Sequence, residues 1–289
     1  MAHDALDGNH AAIAHLRTLT DSANPPWRFD MMPDVSFVLS SSAPILGIPT
    51  ANGCDPMAPE RIIQLRTVFS PGPRWGTCYQ VKDPASPVLG LANVRYLLSR
   101  SEMKVPGLRL AADDGGYKIY ENARALPRFF LADCVRPAAD LSQASQLLRT
   151  PDFDPARCAI VEAPAGAIPV SGGAPGTVAL QSYSQSRITL NVEAPADSVL
   201  ITADSWYPGW RALVDGKPAP LYAADAAFRA TPVPAGRHTV EMRFEPLILP
   251  VSGLISLVAL LAALHFLYHG KLRPSWLTRV RAGQAKRFE

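Results

Sequence analysis

From Leu247 to Tyr268 the chain carries no Asp, Glu, Lys or Arg, and His265 is the one histidine of that stretch. A helix of about 22 residues is roughly 33 Å long, which matches the hydrocarbon core of a bilayer. Lys271, Arg273, Arg279, Arg281, Lys286 and Arg287 follow, against a single acid, Glu289. A cationic flank of this kind marks the cytoplasmic end of a membrane span. It places everything before Leu247 outside the cytoplasmic membrane, with a single C-terminal span and a cytoplasmic C-terminus. Met1 to Leu19 contains Asp4 and Asp7 and no continuous apolar core, so it reads as neither signal peptide nor membrane helix. The expectation is a piece of a longer protein whose earlier helices deliver this body across the membrane. The alternative is a cytoplasmic protein with a C-terminal anchor.

Length leaves room for two modest domains besides the span. The net charge of +3 comes mostly from the tail, so the body has no electrostatic footprint for nucleic acid. With 28 prolines, a loop-rich, β-dominated body is expected. Cys54, Cys78, Cys134 and Cys158 show no CxxC spacing of a zinc or redox site. Cys54–Cys78 and Cys134–Cys158 are candidate disulfides in an oxidising compartment. Three pairings are open, as are free thiols.

Residues 1–26 read as a linker with a short helix near 5–20. Residues 27–163 mix extended runs (27–39, 94–98, 117–120, 128–131, 158–161) with helices at 58–68 and 141–148, an α+β domain. Gly166, Pro169, Gly172, Gly173, Pro175 and Gly176 make 164–176 a linker. Beyond it the period becomes two. Ile188, Leu190 and Val192, and later Val240, Met242 and Phe244, alternate with polar neighbours, as strands with one buried face do. Further strands are expected at 199–203, 210–214, 219–222 and 228–233, with a hairpin turn at Asp215-Gly216. Together these predict an antiparallel β-sandwich over 177–246, a transmembrane helix at 247–268 and a basic tail at 269–289. The fold class is α+β.

Catalytic chemistry is sparse. No histidine lies between His15 and His238, so Ser–His–Asp and Cys–His catalysis lack a base unless His238 serves. His238 follows Gly236 at a strand start and reads as a surface residue. Cys and His never cluster as zinc ligands, and no glycine pattern cradles phosphate. No catalytic residue, metal or cofactor is assigned. Asp113-Asp114 and Asp152/Asp154 read as loop and turn acids. Trp206, Tyr207 and Trp210, around Pro208-Gly209, have two readings. Exposed aromatics stack on sugars, which makes them a candidate glycan or acceptor surface; packed ones would fill the sandwich beside a turn.

The order of several blocks resembles the C-terminal end of the bacterial YfhO-like membrane proteins. They are Trp206-Tyr207-Pro208-Gly209-Trp210, Val214-Asp215-Gly216-Lys217, Ala227-Phe228-Arg229, Pro234-Ala235-Gly236-Arg237-His238, and Phe244-Glu245-Pro246 before an apolar helix. Upstream, Asn93 to Ser99, Tyr120-Glu121-Asn122 and Leu126-Pro127-Arg128-Phe129 agree; Arg28-Phe29-Asp30 and Pro49 to Gly53 are fainter echoes. The resemblance implies a polytopic envelope protein similar to C-type glycosyltransferases, which move sugar from a polyprenyl-phosphate carrier to an acceptor outside the cytoplasm. Its implied partners are the lipid bilayer and, through absent N-terminal helices, a polyprenyl-phosphate-linked sugar and a cell-envelope glycopolymer. The catalytic acid of such enzymes lies in an early loop with no counterpart here, so no catalytic residue is carried over. The alternative is a free-standing, membrane-anchored binding or scaffold module for a carbohydrate or protein.

Overall fold

A computed structural model describes residues 10–268 apart from 37–38, 40–41, 53–56, 73–79, 115, 174–175 and 247. The architecture is α+β and dominated by strands. Residues before 245 form one unit, and the chain from Glu245 onward forms a second.

The first layer is a four-stranded sheet, ordered β1 (Arg28–Met31), β2 (Val94–Ser99), β4 (Tyr117–Asn122), β3 (Leu108–Asp114). Helix α1 (His10–Thr20) lays Ala12, Ile13 and Leu16 on it, against Phe29, Met31, Leu98 and Ile119. The extended run expected over 27–39 ends at Met31, just before Pro33, which has no N–H to give a sheet.

Helices α2 (Glu60–Phe69), α3 (Pro87–Leu91) and α4 (Leu141–Leu147) share a second core. Ser86 caps α3 through Val88 N, and Asp140 caps α4 through Gln143 N, satisfying helix-end donors that have no intrahelical partner. Gly90 lets α3 approach the chain closely: a Cβ there would stand 2.3 Å from Arg124 O.

The sandwich consists of two sheets. One has the order β5 (Phe129–Ala132), β10 (Ser198–Thr202), β14 (Phe228–Val233), β13 (Tyr222–Ala224), β7 (Cys158–Val161), β6 (Cys134–Pro137). The other has β12 (Lys217–Ala219), β11 (Trp210–Val214), β15 (Gly236–Phe244), β9 (Arg187–Ala194), β8 (Thr177–Tyr183). Leu131 and Leu200 from the first meet Leu190, Val192, Val240 and Met242 from the second. The six-stranded sheet therefore joins strands from either side of residues 164–176. Its other face carries Val161, Val199 and Ile201, and Ile168 from within that segment packs there.

Two local differences from the sequence reading have plain causes. The run expected at 219–222 splits at Pro220 into β12 and β13, which lie in different sheets, since proline cannot donate to a ladder. The β13–β14 hairpin turns at Asp225 and Ala226, with φ of 48° and 65° and no glycine to announce it.

Strands β6 and β7 run parallel with Cys134 opposite Cys158, and the two are joined by a disulfide with S–S 2.00 Å. Cys54 and Cys78 lie outside the described residues. In the second unit, α5 (Ile248–Tyr268) is a 21-residue helix, long and apolar enough to cross a membrane. The basic residues after it fall outside the described residues.

Candidate functional site

The connection from β10 to β11 carries Trp206 and Tyr207 and delivers Trp210 as the first residue of β11. Its shape is fixed by Trp206 N–H donating to Ala227 O at 2.7 Å and by Gly209 at φ 108°. Trp206 and Trp210 are half-buried, and Tyr207 is 55% exposed. Each indole has a guanidinium over its face, Arg61 at 4.6 Å from the Trp206 ring and Arg229 at 3.8 Å from the Trp210 ring. Trp210 also meets Phe244 at 5.5 Å, and Tyr207 lies 6.4 Å from the same ring. Cation–π contacts of this kind fix the two indoles and leave the Tyr207 ring as the open aromatic face of the loop.

Arg61 is aimed by a two-pronged pair with Glu162 and by Ala226 O at 2.9 Å. Arg229 leads to the residue at the root of the loop, Asp204. Three guanidiniums converge on that one carboxylate. Arg128 donates from Nε at 2.8 Å and its terminal nitrogen stands at 2.6 Å. Arg28 reaches it at 3.2 Å and Arg229 at 3.4 Å. The Tyr183 hydroxyl donates to its other oxygen at 3.3 Å and accepts from Arg128 at 3.0 Å. Arg28 further donates to Ala203 O at 2.7 Å and Ala92 O at 3.2 Å.

Burial pushes the Asp204 carboxyl up, but the three guanidiniums, Arg128 foremost, outweigh it and hold its pKa below the ordinary value. The cations show the reverse. Burial first, then repulsion from Arg128, pulls Arg28 down to about 10, and burial lowers Arg229. Arg229 is 2% exposed, and its Nη1 has no hydrogen-bond partner.

The other acids singled out in the sequence are occupied locally. Asp113 pairs with Lys118 and Asp114 with His15; Asp152 pairs with Arg136, and Asp154 accepts from Ala156 N. His238 is half-buried, with Nδ1 at 2.7 Å from Asp215 Oδ2 and Nε2 facing Ala235 O at 3.4 Å. Its hydrogen bond to the Asp215 carboxylate raises its pKa. The pair ties β15 to the β11–β12 hairpin, where Asp215 also accepts from Thr239 N. No group of three or more His, Cys, Asp or Glu able to hold a metal occurs among the described residues.

No sequence pattern groups Asp204 with its three arginines. Arg28, Arg128 and Arg229 each sit inside a block that carries the family resemblance, yet nothing local says that they meet. The comparison with known families supplies the remaining observation. Residues 174–256 match the family model of the bacterial membrane protein YfhO. Over that stretch the chain is YfhO-like. The match runs from β8 through β15 into α5 and takes in Asp204, Trp206, Trp210 and Arg229; Arg28 and Arg128 lie upstream of it. No curated protein and no solved structure matches the chain. A YfhO-type match that continues into a span-length apolar helix supports anchoring in a membrane.

Proposed function

We propose that this chain is the C-terminal extracytoplasmic portion of a YfhO-like polytopic membrane protein. In this reading it is the non-catalytic part of a glycosyltransferase that moves sugar from a polyprenyl-phosphate donor to a cell-envelope polymer. The carrying observation is the family match across the sandwich and into the apolar helix. The cationic flank after Tyr268 supports a cytoplasmic C-terminus, with the body outside. The body would present or orient the acceptor beside a membrane site contributed by helices from elsewhere in the protein. Protease added to intact spheroplasts tests this. Digestion of the body from outside is the expected result, whereas full protection, relieved only by lysis, would place the body in the cytoplasm and end the reading.

The second reading, a free-standing binding module without an enzyme, is favoured by the exposed Tyr207 face on a loop whose tryptophans are held rigid. It predicts that the purified chain retains affinity for envelope glycopolymer. Tyr207→Ala should then weaken binding about tenfold, on the order of one base- or sugar-sized aromatic contact, with an unchanged melting curve. Trp210→Ala should instead lower the melting temperature, because it strips the ring beneath Arg229. Equal binding by wild type and Tyr207→Ala in a pull-down on polymer-coated beads would remove this loop from the contact surface.

A further inference from the structure

Asp204 carries one negative charge for three cations, Arg28, Arg128 and Arg229, whose side chains are 15%, 14% and 2% exposed. The neighbouring arginines do not redress the balance. Arg61 is matched by Glu162 and Arg66 by Asp30, so each of those pairs is neutral. The cluster is left with a surplus of two positive charges in a largely dry setting, and such surplus is unfavourable without a counter-ion.

A cavity of about 210 Å³ opens at this point. Arg28, Arg66, Thr50 and Ser205 are the polar residues that line it, and Leu65 and Phe228 are among the apolar ones. Arg28 uses three of its five N–H donors on Ala92 O, Ala203 O and Asp204, which leaves two. Ser205 is exposed and marks the mouth. A cavity of roughly 150 Å³ accepts a benzene-sized guest; this one is larger and walled by charge on one side.

We propose that the cavity beside Arg28 is an oxyanion-binding site for a compact phosphate ester or carboxylate, which supplies the counter-charge that Asp204 alone does not. The anion sits against Arg28, with Ser205 at its outer side, and the apolar wall receives the small organic group that carries it. Apolar side chains on that wall lower the local dielectric, so the charge contact is stronger than on an open surface. The site stands whether or not the protein works on sugars.

The test uses the full chain in detergent micelles. Its melting temperature is followed in sodium phosphate, sn-glycerol 3-phosphate or sodium glucuronate, each against sodium chloride at matched ionic strength. At a tenfold excess over Kd the expected rise is about 4 °C. A response to the phosphates alone assigns phosphate, and a response to glucuronate alone assigns carboxylate. Ser205→Glu places a tethered carboxylate at the mouth. It should raise the melting temperature without ligand and weaken the anion response at least tenfold, while Ser205→Ala keeps the response. No rise with any of the three anions overturns the proposal, as does an undiminished response in Ser205→Glu.

Discussion

Asp204→Ala is expected to lower the melting temperature of the body by about 10 °C or to prevent folding. Removing one partner of a buried ion pair costs roughly 3–5 kcal/mol, because the other charge is stranded. In a body of this size each kcal/mol is worth about 2–4 °C. Here three guanidiniums are stranded at once, and the least exposed, Arg229, is almost wholly buried. Asp204→Asn keeps the volume and an acceptor for Arg128 but not the charge, so it should recover little. Combining Asp204→Asn with Arg229→Leu removes the deepest cation along with its counter-ion. The double mutant should be less destabilised than the sum of the singles, the signature of direct coupling. The pH dependence has a definite sign. The Asp204 pKa is depressed in the folded state, so its stabilisation is complete above the unfolded carboxylate value of about 3.9 and is lost as pH falls through the lower folded value. Acid melts of wild type and Asp204→Asn should converge below that window. Additive single and double mutants would show that Asp204 and Arg229 do not depend on each other.

The residues that could be read from sequence and those that could not differ in how many of their faces are covered. Strand β9 alternates buried and open positions, and β15 does so in part, so the period of two exposed their inner faces directly. Strand β10 is buried at every position because Leu200 faces the sandwich core while Val199 and Ile201 face the layer behind it. Its run was still recognisable as a strand, but its pairing with β5, far upstream, left no local mark. The Gly- and Pro-rich stretch 164–176 likewise looks like a linker residue by residue, although β5, β6 and β7 before it share a sheet with β10, β13 and β14 after it. Strand β3 has no buried face of its own, and most of β8 is open, so hydrophobic periodicity had little to register there. The aromatic loop was legible as a motif, and its packing partners Arg61 and Arg229 were not, because cation–π contacts join distant segments. The same holds for Asp204: its arginines are spread over some two hundred residues, and only the convergence of β1, β5, β10 and β14 brings them to one carboxylate.

Asp225→Asn is expected to stabilise the protein at neutral pH, by about 1–2 kcal/mol. Asp225 is fully buried in the β13–β14 turn, where Oδ1 accepts the Ile160 N–H at 2.8 Å and Oδ2 has no partner. Burial pushes its pKa from 3.8 up to about 7, against the small opposing pull of that one hydrogen bond. An acid raised on folding binds its proton more tightly in the native state, so stability is greatest below about 3.9 and falls as pH rises towards 7. At about 1.4 kcal/mol per pH unit the full loss is on the order of 4 kcal/mol. Asparagine removes the titration and, among residues with a side chain, is well suited to the positive φ of 48° found here. It also places an amide NH2 where Oδ2 now lies unpartnered, and an unsatisfied buried donor costs about 1–3 kcal/mol, which is why only part of the gain should survive. Denaturant melts from pH 5 to 8 read the effect. The wild-type midpoint should decline across that range, and the Asp225→Asn midpoint should decline less and already lie above it at neutrality. Parallel profiles for the two proteins would mean that Asp225 is already ionised in the folded state throughout the range, and the burial argument for this turn would fail.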